Sequence, residues 1–279
     1  MSITGLHLRH AGNTYSYTPP AGGSAAAWSA GASCVNVRSG TYVDVGGNDM
    51  DTCGDGFFSD DNTASFGWST VTQMVTVTGN HIHVSGEAGS SSEHQVYFQT
   101  FYGLLQGNRI DNYLSSASGA NIKWRGVEGI FRYNYLGNGT LRQFDLVENQ
   151  DGPQYTTFEA PGTNGNSYLG KAGDTYCPDS FYCSGDTAGA NIIAAYQESA
   201  QKDFIYGNEI VGNTSQEEIH YAADNVGGMT DRNGTLYTYS NTIYPTEIAF
   251  DTGENGDGLN PIYRMHSGNP ILPLSFDLC

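Results

Sequence analysis

The sequence predicts an all-β solenoid, a parallel β-helix in which the short strands of successive coils pair with one another. The main observation is a recurring unit, a β-type run that ends at an asparagine followed by a further apolar residue. The asparagines lie 26 to 33 residues apart, with one gap of 74, and repeats of roughly 20 to 50 residues are typical of stacked arrays. The 37 glycines and 19 tyrosines also favour a turn-rich all-β chain. The repeated positions are Asn80, Asn108, Asn134, Asn208 and Asn241.

The repeat has a physical interpretation. A strand, a turn and a second short strand cannot bury their apolar side chains alone, but coils stacked at roughly 4.8 Å can. Asparagine suits the bend because it tolerates left-handed backbone angles, and it can bond the asparagines of the coils above and below in a ladder. The alternative is a set of ordinary hairpin turns. Hairpins favour asparagine followed by glycine, whereas here glycine comes first, as in Gly107-Asn108.

The segments GNRI (107–110), YNYL (133–136), GNEI (207–210) and SNTI (240–243) resemble the coil turns of the pectate-lyase-like superfamily. The resemblance covers most of residues 55–250. It implies a single-stranded right-handed parallel β-helix of about eight or nine coils with long loops. Such scaffolds carry lyases, hydrolases, epimerases and adhesins, so the resemblance implies carbohydrate binding or cleavage without deciding the reaction.

We expect one β-helix domain over residues 1–279, with loop excursions at 11–33 and 150–190. A further loop is predicted at 213–233, and both 150–190 and 213–233 are expected to cover one face. Residues 48–51 (NDMD) are predicted to form an acidic loop between strand-like runs. Residues 188–201 fit a helix and a buried strand equally well.

The formal net charge of −18 excludes nonspecific binding to nucleic acid. The same negative charge repels a polyanion, so binding of an acidic polysaccharide would need a local cationic patch or a bridging Ca²⁺. The chain contains no run of eighteen apolar residues, so the sequence predicts no membrane span. The start shows no signal-peptide pattern. We expect a piece of a longer exported protein that lacks its natural N-terminal cap, the alternative being an intact cytoplasmic protein.

The chain has five cysteines, none in the paired spacing of a zinc site. Cys177 and Cys183 can form a local disulfide, and Cys34 with Cys53 can form a second. Cys279 remains over. Disulfides favour a secreted or extracytoplasmic protein.

Two nine-residue segments, 144–152 and 250–258, share the frame F-D-x-x-E-N-x-D-G. Each copy places three carboxylates and an amide at the end of a strand. They suit a structural turn, a Ca²⁺ site, or an acid and base pair in which crowding raises one carboxyl pKa. The candidate catalytic carboxylates are Asp145 and Glu148. The candidate Ca²⁺ ligands are Asp151, Asp251, Glu254 and Asp257.

A basic patch precedes the first acidic frame. Lys123 and Arg125 alternate with apolar residues, so they point to the same outward face of a strand, and Arg109 and Arg132 are expected to flank them one coil away. In the β-helix polysaccharide lyases that the chain resembles, a Lys or Arg removes the proton beside the uronate carboxyl. The alternative is a set of surface ion pairs between Lys123 or Arg125 and Asp145 or Glu148 on the adjacent coil.

The same resemblance implies Lys123 or Arg125 as the base and His94 or Tyr97 as the acid. One coil later those lyases carry an Arg where this chain has Asp145, which departs from their pattern.

Two smaller features remain. His81 and His83 share a strand face and could bind a metal, but no third ligand is in reach by sequence, and the alternative is an ordinary surface pair. Aromatic residues could stack on sugars or form ladders inside the solenoid, and they are Tyr97, Tyr102, Trp124, Tyr133, Tyr135 and Tyr221.

These observations predict cleavage of a polysaccharide in a groove formed by residues 94–151. In a hydrolase, Asp145 and Glu148 (or Asp151) would act across a glycosidic bond. In a lyase, Lys123 or Arg125 would take the proton while carboxylates hold Ca²⁺. The alternative is a non-catalytic glycan-binding adhesin or spike fragment.

Overall fold

The computed structural model describes most of the first half of the chain and shorter parts of the second. The described residues form 24 strands and no helix, so the all-β prediction is confirmed. For the strands at 250–251 and 262–265 only the backbone is described. The described ranges are 1–29, 31–60, 72–100, 102–126, 128–147, 202–211, 218–221, 235–244, 250–251 and 262–265.

Three parallel sheets contain nearly all the strands, and a short antiparallel pair, β3 (Ser16–Tyr17) and β4 (Ala26–Ala27), lies apart from them. The first sheet consists of β1 (Ser2–Thr4), β6 (Thr41–Gly46), β9 (Gln73–Thr78), β12 (Gly103–Gln106), β15 (Glu128–Arg132), β18 (Lys202–Tyr206), β21 (Thr235–Tyr239) and β24 (Ile262–Met265). The second sheet consists of β2 (His7–Arg9), β7 (Asp49–Asp51), β10 (His81–His83), β13 (Arg109–Asp111), β16 (Tyr135–Gly137), β19 (Glu209–Val211) and β22 (Thr242–Ile243). The third sheet consists of β5 (Ser33–Arg38), β8 (Asp55–Asp60), β11 (Val96–Phe98), β14 (Ile122–Trp124), β17 (Phe144–Leu146), β20 (Ile219–Tyr221) and β23 (Phe250–Asp251).

The chain visits the three sheets in turn. For example, β12 of the first sheet is followed by β13 of the second and β14 of the third, and β15 then returns to pair with β12 in parallel. This connectivity is consistent with a solenoid of stacked coils. Among the described residues no helical segment has the length and hydrophobicity of a membrane span.

The core lies between the three sheets and is built from side chains stacked in register. On the third sheet, one inward column is fully buried at every step. Because the side chains of a strand alternate between faces, the residue next to each of these points away from the core. The column consists of Phe57, Val96, Ile122, Phe144 and Ile219.

The predicted asparagine ladder is confirmed, and it is one step longer than the sequence indicated. The backbone N–H and the Nδ2 of each asparagine donate to the Oδ1 of the next, at 2.9–3.0 Å. Nδ2 also donates to a carbonyl one coil back, as from Asn108 to Val77. These bonds pair polar groups that are buried at the bend. The ladder consists of Asn48, Asn80, Asn108, Asn134, Asn208 and Asn241.

The residue before each asparagine, and not the asparagine itself, adopts the left-handed backbone conformation. Gly79 has a φ of 63° and Gly207 one of 65°, while Tyr133 and Ser240 adopt 57° and 54°. The prediction that asparagine provides the left-handed bend is therefore wrong. Glycine precedes asparagine because it adopts a positive φ without a steric penalty, and asparagine is selected for the ladder.

Three predicted loops contain strands. The excursion predicted at 11–33 contains the short antiparallel pair β3 and β4. Residues 48–51 were expected to be an acidic loop, but Asp49–Asp51 is β7, with Met50 fully buried in the core. The loop predicted at 213–233 contains β20. The segments 150–190 and 188–201 lie outside the described residues.

The disulfide between Cys34 and Cys53 is confirmed, with the two Cα atoms 5.5 Å apart. It joins β5 to the turn before β8. Cys177, Cys183 and Cys279 lie outside the described residues.

Candidate functional site

The outward face of the third sheet carries a polar column next to the apolar one. Tyr97 pairs in register with Lys123, Lys123 with Asp145, and Asp145 with His220. The structure thus brings Tyr97, Lys123 and Asp145 together. The sequence predicted His94, Lys123 and Asp145 side by side, which holds for Lys123 and Asp145, whereas His94 precedes β11 and Tyr97 takes its place in the column. The structure adds His220, which the sequence analysis did not identify. At the other end Phe58 stacks on the Tyr97 ring at 4.7 Å between centroids.

Asp145 is the centre of this column, because three basic side chains contact its two oxygens. Lys123 Nζ donates to Oδ2, and Nδ1 of His220 lies 2.6 Å from Oδ1. The guanidinium of Arg142 is 3.4 Å from the same oxygen. Although they lie on the outer face of the sheet, the four residues are buried, with exposures of 0–6 %. We call Lys123, Asp145, His220 and Arg142 the Asp145 cluster.

Asp145 is held as a carboxylate. Burial by itself raises the pKa of Asp145, but the Lys123 charge, the His220 hydrogen bond and the charges of His220 and Arg142 outweigh burial and hold that pKa well below its usual value. A carboxylate only accepts hydrogen bonds, so Nδ1 of His220 is the donor in their contact. In the neutral ring the lone pair then lies on Nε2, which has no hydrogen-bond partner among the described residues.

His94 lies beside the column. Its ring is 5.9 Å from that of Tyr97 between centroids. Its Nδ1 accepts a hydrogen bond from the Ala120 N–H at 2.9 Å, so the proton of the neutral ring is on Nε2. The His94 N–H donates to Asp55 Oδ1 at 2.7 Å, which links His94 to a buried carboxyl that the sequence analysis did not single out.

Asp55 is 3 % exposed and Glu93 is 8 % exposed. Burial raises the pKa of Asp55 well above its usual value. The His94 N–H opposes this shift, and the charge of Glu93 adds to it. The folded state therefore binds a proton at Asp55 over a pH range in which the unfolded chain has released it.

Replacing Asp55 by asparagine is expected to increase stability at neutral pH. The amide oxygen still accepts the hydrogen bond from the His94 backbone N–H, and the variant has no carboxyl group that must keep its proton in the folded state. For a carboxyl with a raised folded pKa, stability falls as pH rises from the unfolded value of about 4 towards the folded pKa. The Asp55→Asn variant should not show this fall in stability with rising pH. Denaturant unfolding from pH 4 to 8 measures it, and a pH dependence unchanged from wild type would contradict the assignment.

The predicted basic patch is only partly assembled. Arg125 follows β14 and is 2 % exposed, and its backbone N–H donates to the Phe98 carbonyl at 3.0 Å. Arg109 lies on the second sheet, where it pairs with Asp111, and Arg132 lies on the first. These two arginines therefore lie on different sheets from Lys123.

The predicted aromatic surface is also divided. Trp124 and Tyr221 are fully buried in the core, which is the second of the two alternatives, aromatic packing inside the stack of coils. Tyr97 is 8 % exposed, whereas Tyr133 is 60 % exposed. Tyr102 and Tyr135 are half-buried.

The two acidic frames begin at equivalent places on the third sheet. By backbone register Asp145 lies opposite His220, and His220 lies opposite Asp251, one strand further along. The remaining carboxylates predicted from the frames lie outside the described residues, and they are Glu148, Asp151, Glu254 and Asp257.

Comparison of the chain with family models, curated proteins and solved structures finds no match in any of the three. The fold and the site therefore define the protein by class, as an all-β protein of three parallel sheets with a buried charged cluster on one outer face.

Proposed function

We propose that this protein is a right-handed parallel β-helix of the pectate-lyase-like type, with about eight or nine coils, that cleaves a polysaccharide on the outer face of the third sheet. The cyclic order of the sheets and the asparagine ladder support the fold. The cystine supports a secreted or extracytoplasmic location.

One observation carries the reaction. His220 has its Nδ1 on the Asp145 carboxylate and its Nε2 without a hydrogen-bond partner among the described residues. A carboxylate that fixes the tautomer and stabilises the imidazolium makes the opposite nitrogen a general base. Lys123 in the same column and Arg142, which precedes β17, supply positive charge, which a uronate carboxylate requires.

These groups favour β-elimination over hydrolysis. His220 Nε2 would take the proton from the carbon next to the uronate carboxyl, and Tyr97 or His94 would protonate the departing glycosidic oxygen as the carbon–carbon double bond forms. Lys123 and Arg125 would stabilise the charge that develops on the carboxylate. The lowered pKa of Asp145 makes it a poor general acid, which weakens the hydrolase alternative.

Ca²⁺ belongs to the proposal as a bridge between an acidic sugar and the acidic frames at Asp151, Asp251, Glu254 and Asp257. Because the Asp145 cluster is buried, a polymer can reach it only when the outer face opens. The proposal therefore requires a movement that uncovers the cluster, as in enzymes whose active site is gated by a lid.

The test is a panel of neutral and acidic polysaccharides, assayed with Ca²⁺ and with EDTA. A lyase produces an unsaturated uronate, seen as growing ultraviolet absorbance. We expect His220→Gln to reduce that rate by a factor of about 100 or more, and Tyr97→Phe to reduce it if Tyr97 is the acid. His10→Asn is the matched control, because His10 lies outside the cluster and its φ of 67° suits asparagine.

Other outcomes separate the alternatives. Reducing ends without ultraviolet absorbance, lost in Asp145→Asn, indicate a hydrolase. Binding without either product indicates an adhesin. Full lyase activity in His220→Gln would overturn the assignment of the base.

A further inference from the structure

The outer face of the second sheet carries a second polar cluster, on different strands from the Asp145 cluster. His81 and His83 flank Ile82, which is fully buried, so both histidines point away from the core. Their rings stack with centroids 4.0 Å apart. The register of β10 on β7 places Asp49 directly beside His81. The stacking of coils therefore supplies a third ligand, which the spacing along the sequence did not show.

The three side chains converge on one point. Asp49 Oδ1 lies 2.9 Å from His83 Nε2 and 3.6 Å from His81 Nδ1, and the three ligand atoms all lie within 4.8 Å of one another. Ligands around one Zn²⁺ at 2.0–2.2 Å are separated by about 3–3.6 Å. The side chains of Asp49, His81 and His83 are 47 %, 40 % and 21 % exposed, so an ion and its remaining water ligands have access from solvent.

A further contact orients His81. Its Nε2 lies 3.0 Å from Oδ1 of Asp111, a residue only 2 % exposed. Arg109 in turn pairs with the other oxygen of Asp111 at 2.5 Å. A carboxylate on the outer nitrogen of a histidine, leaving the inner nitrogen for the ion, is the usual support of a metal-binding histidine.

We propose that Asp49, His81 and His83 bind a divalent first-row transition-metal ion, with Zn²⁺ as the ion of best fit. Two imidazoles and one carboxylate favour Zn²⁺, Ni²⁺ or Cu²⁺, whereas Ca²⁺ and Mg²⁺ require oxygen ligands. The site is independent of the proposed Ca²⁺ frames and of polysaccharide cleavage.

The neighbouring coil extends the site. His7 Nε2 lies 3.7 Å from the second oxygen of Asp49 and 2.5 Å from Asp51 Oδ2. Asp49 can therefore face a metal with Oδ1 and His7 with Oδ2. The His7 contact positions Asp49 and lies outside the set of three ligands.

Titration calorimetry with ZnCl₂ tests the proposal on the purified chain. Wild type should bind one equivalent of Zn²⁺. In His83→Ala and in Asp49→Asn the affinity for that equivalent should fall by a factor of about 100 or more. Asp111→Asn should weaken the same equivalent by a factor of about 10. His10→Asn should bind as wild type does. Excess CaCl₂ should not displace the Zn²⁺ equivalent, since Ca²⁺ requires oxygen ligands.

A spectroscopic measurement separates ligand loss from misfolding. Co²⁺ bound by two histidines and a carboxylate should give visible absorption bands that disappear in His83→Ala, while the far-ultraviolet circular dichroism and the unfolding midpoint in EDTA stay as in wild type. Absence of saturable Zn²⁺ binding in wild type overturns the proposal. Equal binding by wild type, His83→Ala and Asp49→Asn does so as well.

Discussion

Asn108→Ala is expected to lower the free energy of unfolding by about 3–5 kcal/mol, because each buried polar group left unsatisfied costs about 1–3 kcal/mol. The Asn108 carboxamide accepts from both the N–H and the Nδ2 of Asn80, and it donates to Val77 and to Asn134. Alanine removes all four bonds, and the groups left behind are buried between coils where water does not replace them.

Denaturant unfolding measures the loss. Asn36→Ala is the matched control, since Asn36 is an exposed asparagine on β5, and we expect a change within about 0.5 kcal/mol. Asn108→Asp keeps the acceptor but removes the donor and buries a charge, so it should also be strongly destabilising. A loss for Asn108→Ala no larger than the control would show that the ladder does not hold the coils together.

Lys123→Met is expected to destabilise the protein by about 3–5 kcal/mol at neutral pH, because removing one partner of a buried ion pair leaves the other charge uncompensated. Asp145 is 2 % exposed and would retain only His220 and Arg142. Lys202→Met is the control. Lys202 is exposed on β18, and exposed charges contribute at most about 1 kcal/mol.

The pH dependence has a definite sign. The folded pKa of Asp145 lies below its unfolded value of about 4. The stability that Asp145 contributes is therefore present above pH 4 and lost as pH falls through the folded pKa. The difference between wild type and Lys123→Met should be largest at neutral pH and shrink on acidification. A difference that stays constant from pH 7 to pH 3 would contradict the ionised pairing.

Much of the stacking could be predicted from local pattern. Glycine followed by asparagine and an alternating apolar residue marks the bend, and the spacings of 28 and 26 between ladder asparagines reveal the coil length. That regular spacing is also why Lys123 and Asp145 could be expected to lie side by side, since consecutive coils of similar length keep their register. His94 was expected in the same row, but Tyr97 is the residue in register with Lys123.

Other features could not be predicted in this way. His220 lies 75 residues from Asp145, and the long gap hides the register even though Ile219-His220-Tyr221 repeats the apolar–polar–apolar pattern of Ile122-Lys123-Trp124. Asp49 lies 34 residues from His83 in a stretch with one apolar residue between two acids, which suggests a loop.

Burial of the outer face is a third such feature. The alternation of side chains along a strand shows that Lys123 points away from the core. It does not show whether another part of the same chain covers that face. Trp124 and Tyr221 differ in this respect, because the same alternation that points Lys123 and His220 outward places both aromatic side chains in the core, where the structure has them.

The most direct test is the coupling free energy between Lys123 and Asp145, from a double-mutant cycle of Lys123→Met, Asp145→Asn and the double variant. These residues are 22 apart in sequence and meet only if consecutive coils lie in the described register. We predict a coupling of about 2 kcal/mol or more at neutral pH. Effects that add to within about 0.5 kcal/mol would mean that the two side chains do not touch, and would contradict the stacked cluster on which the proposed site depends.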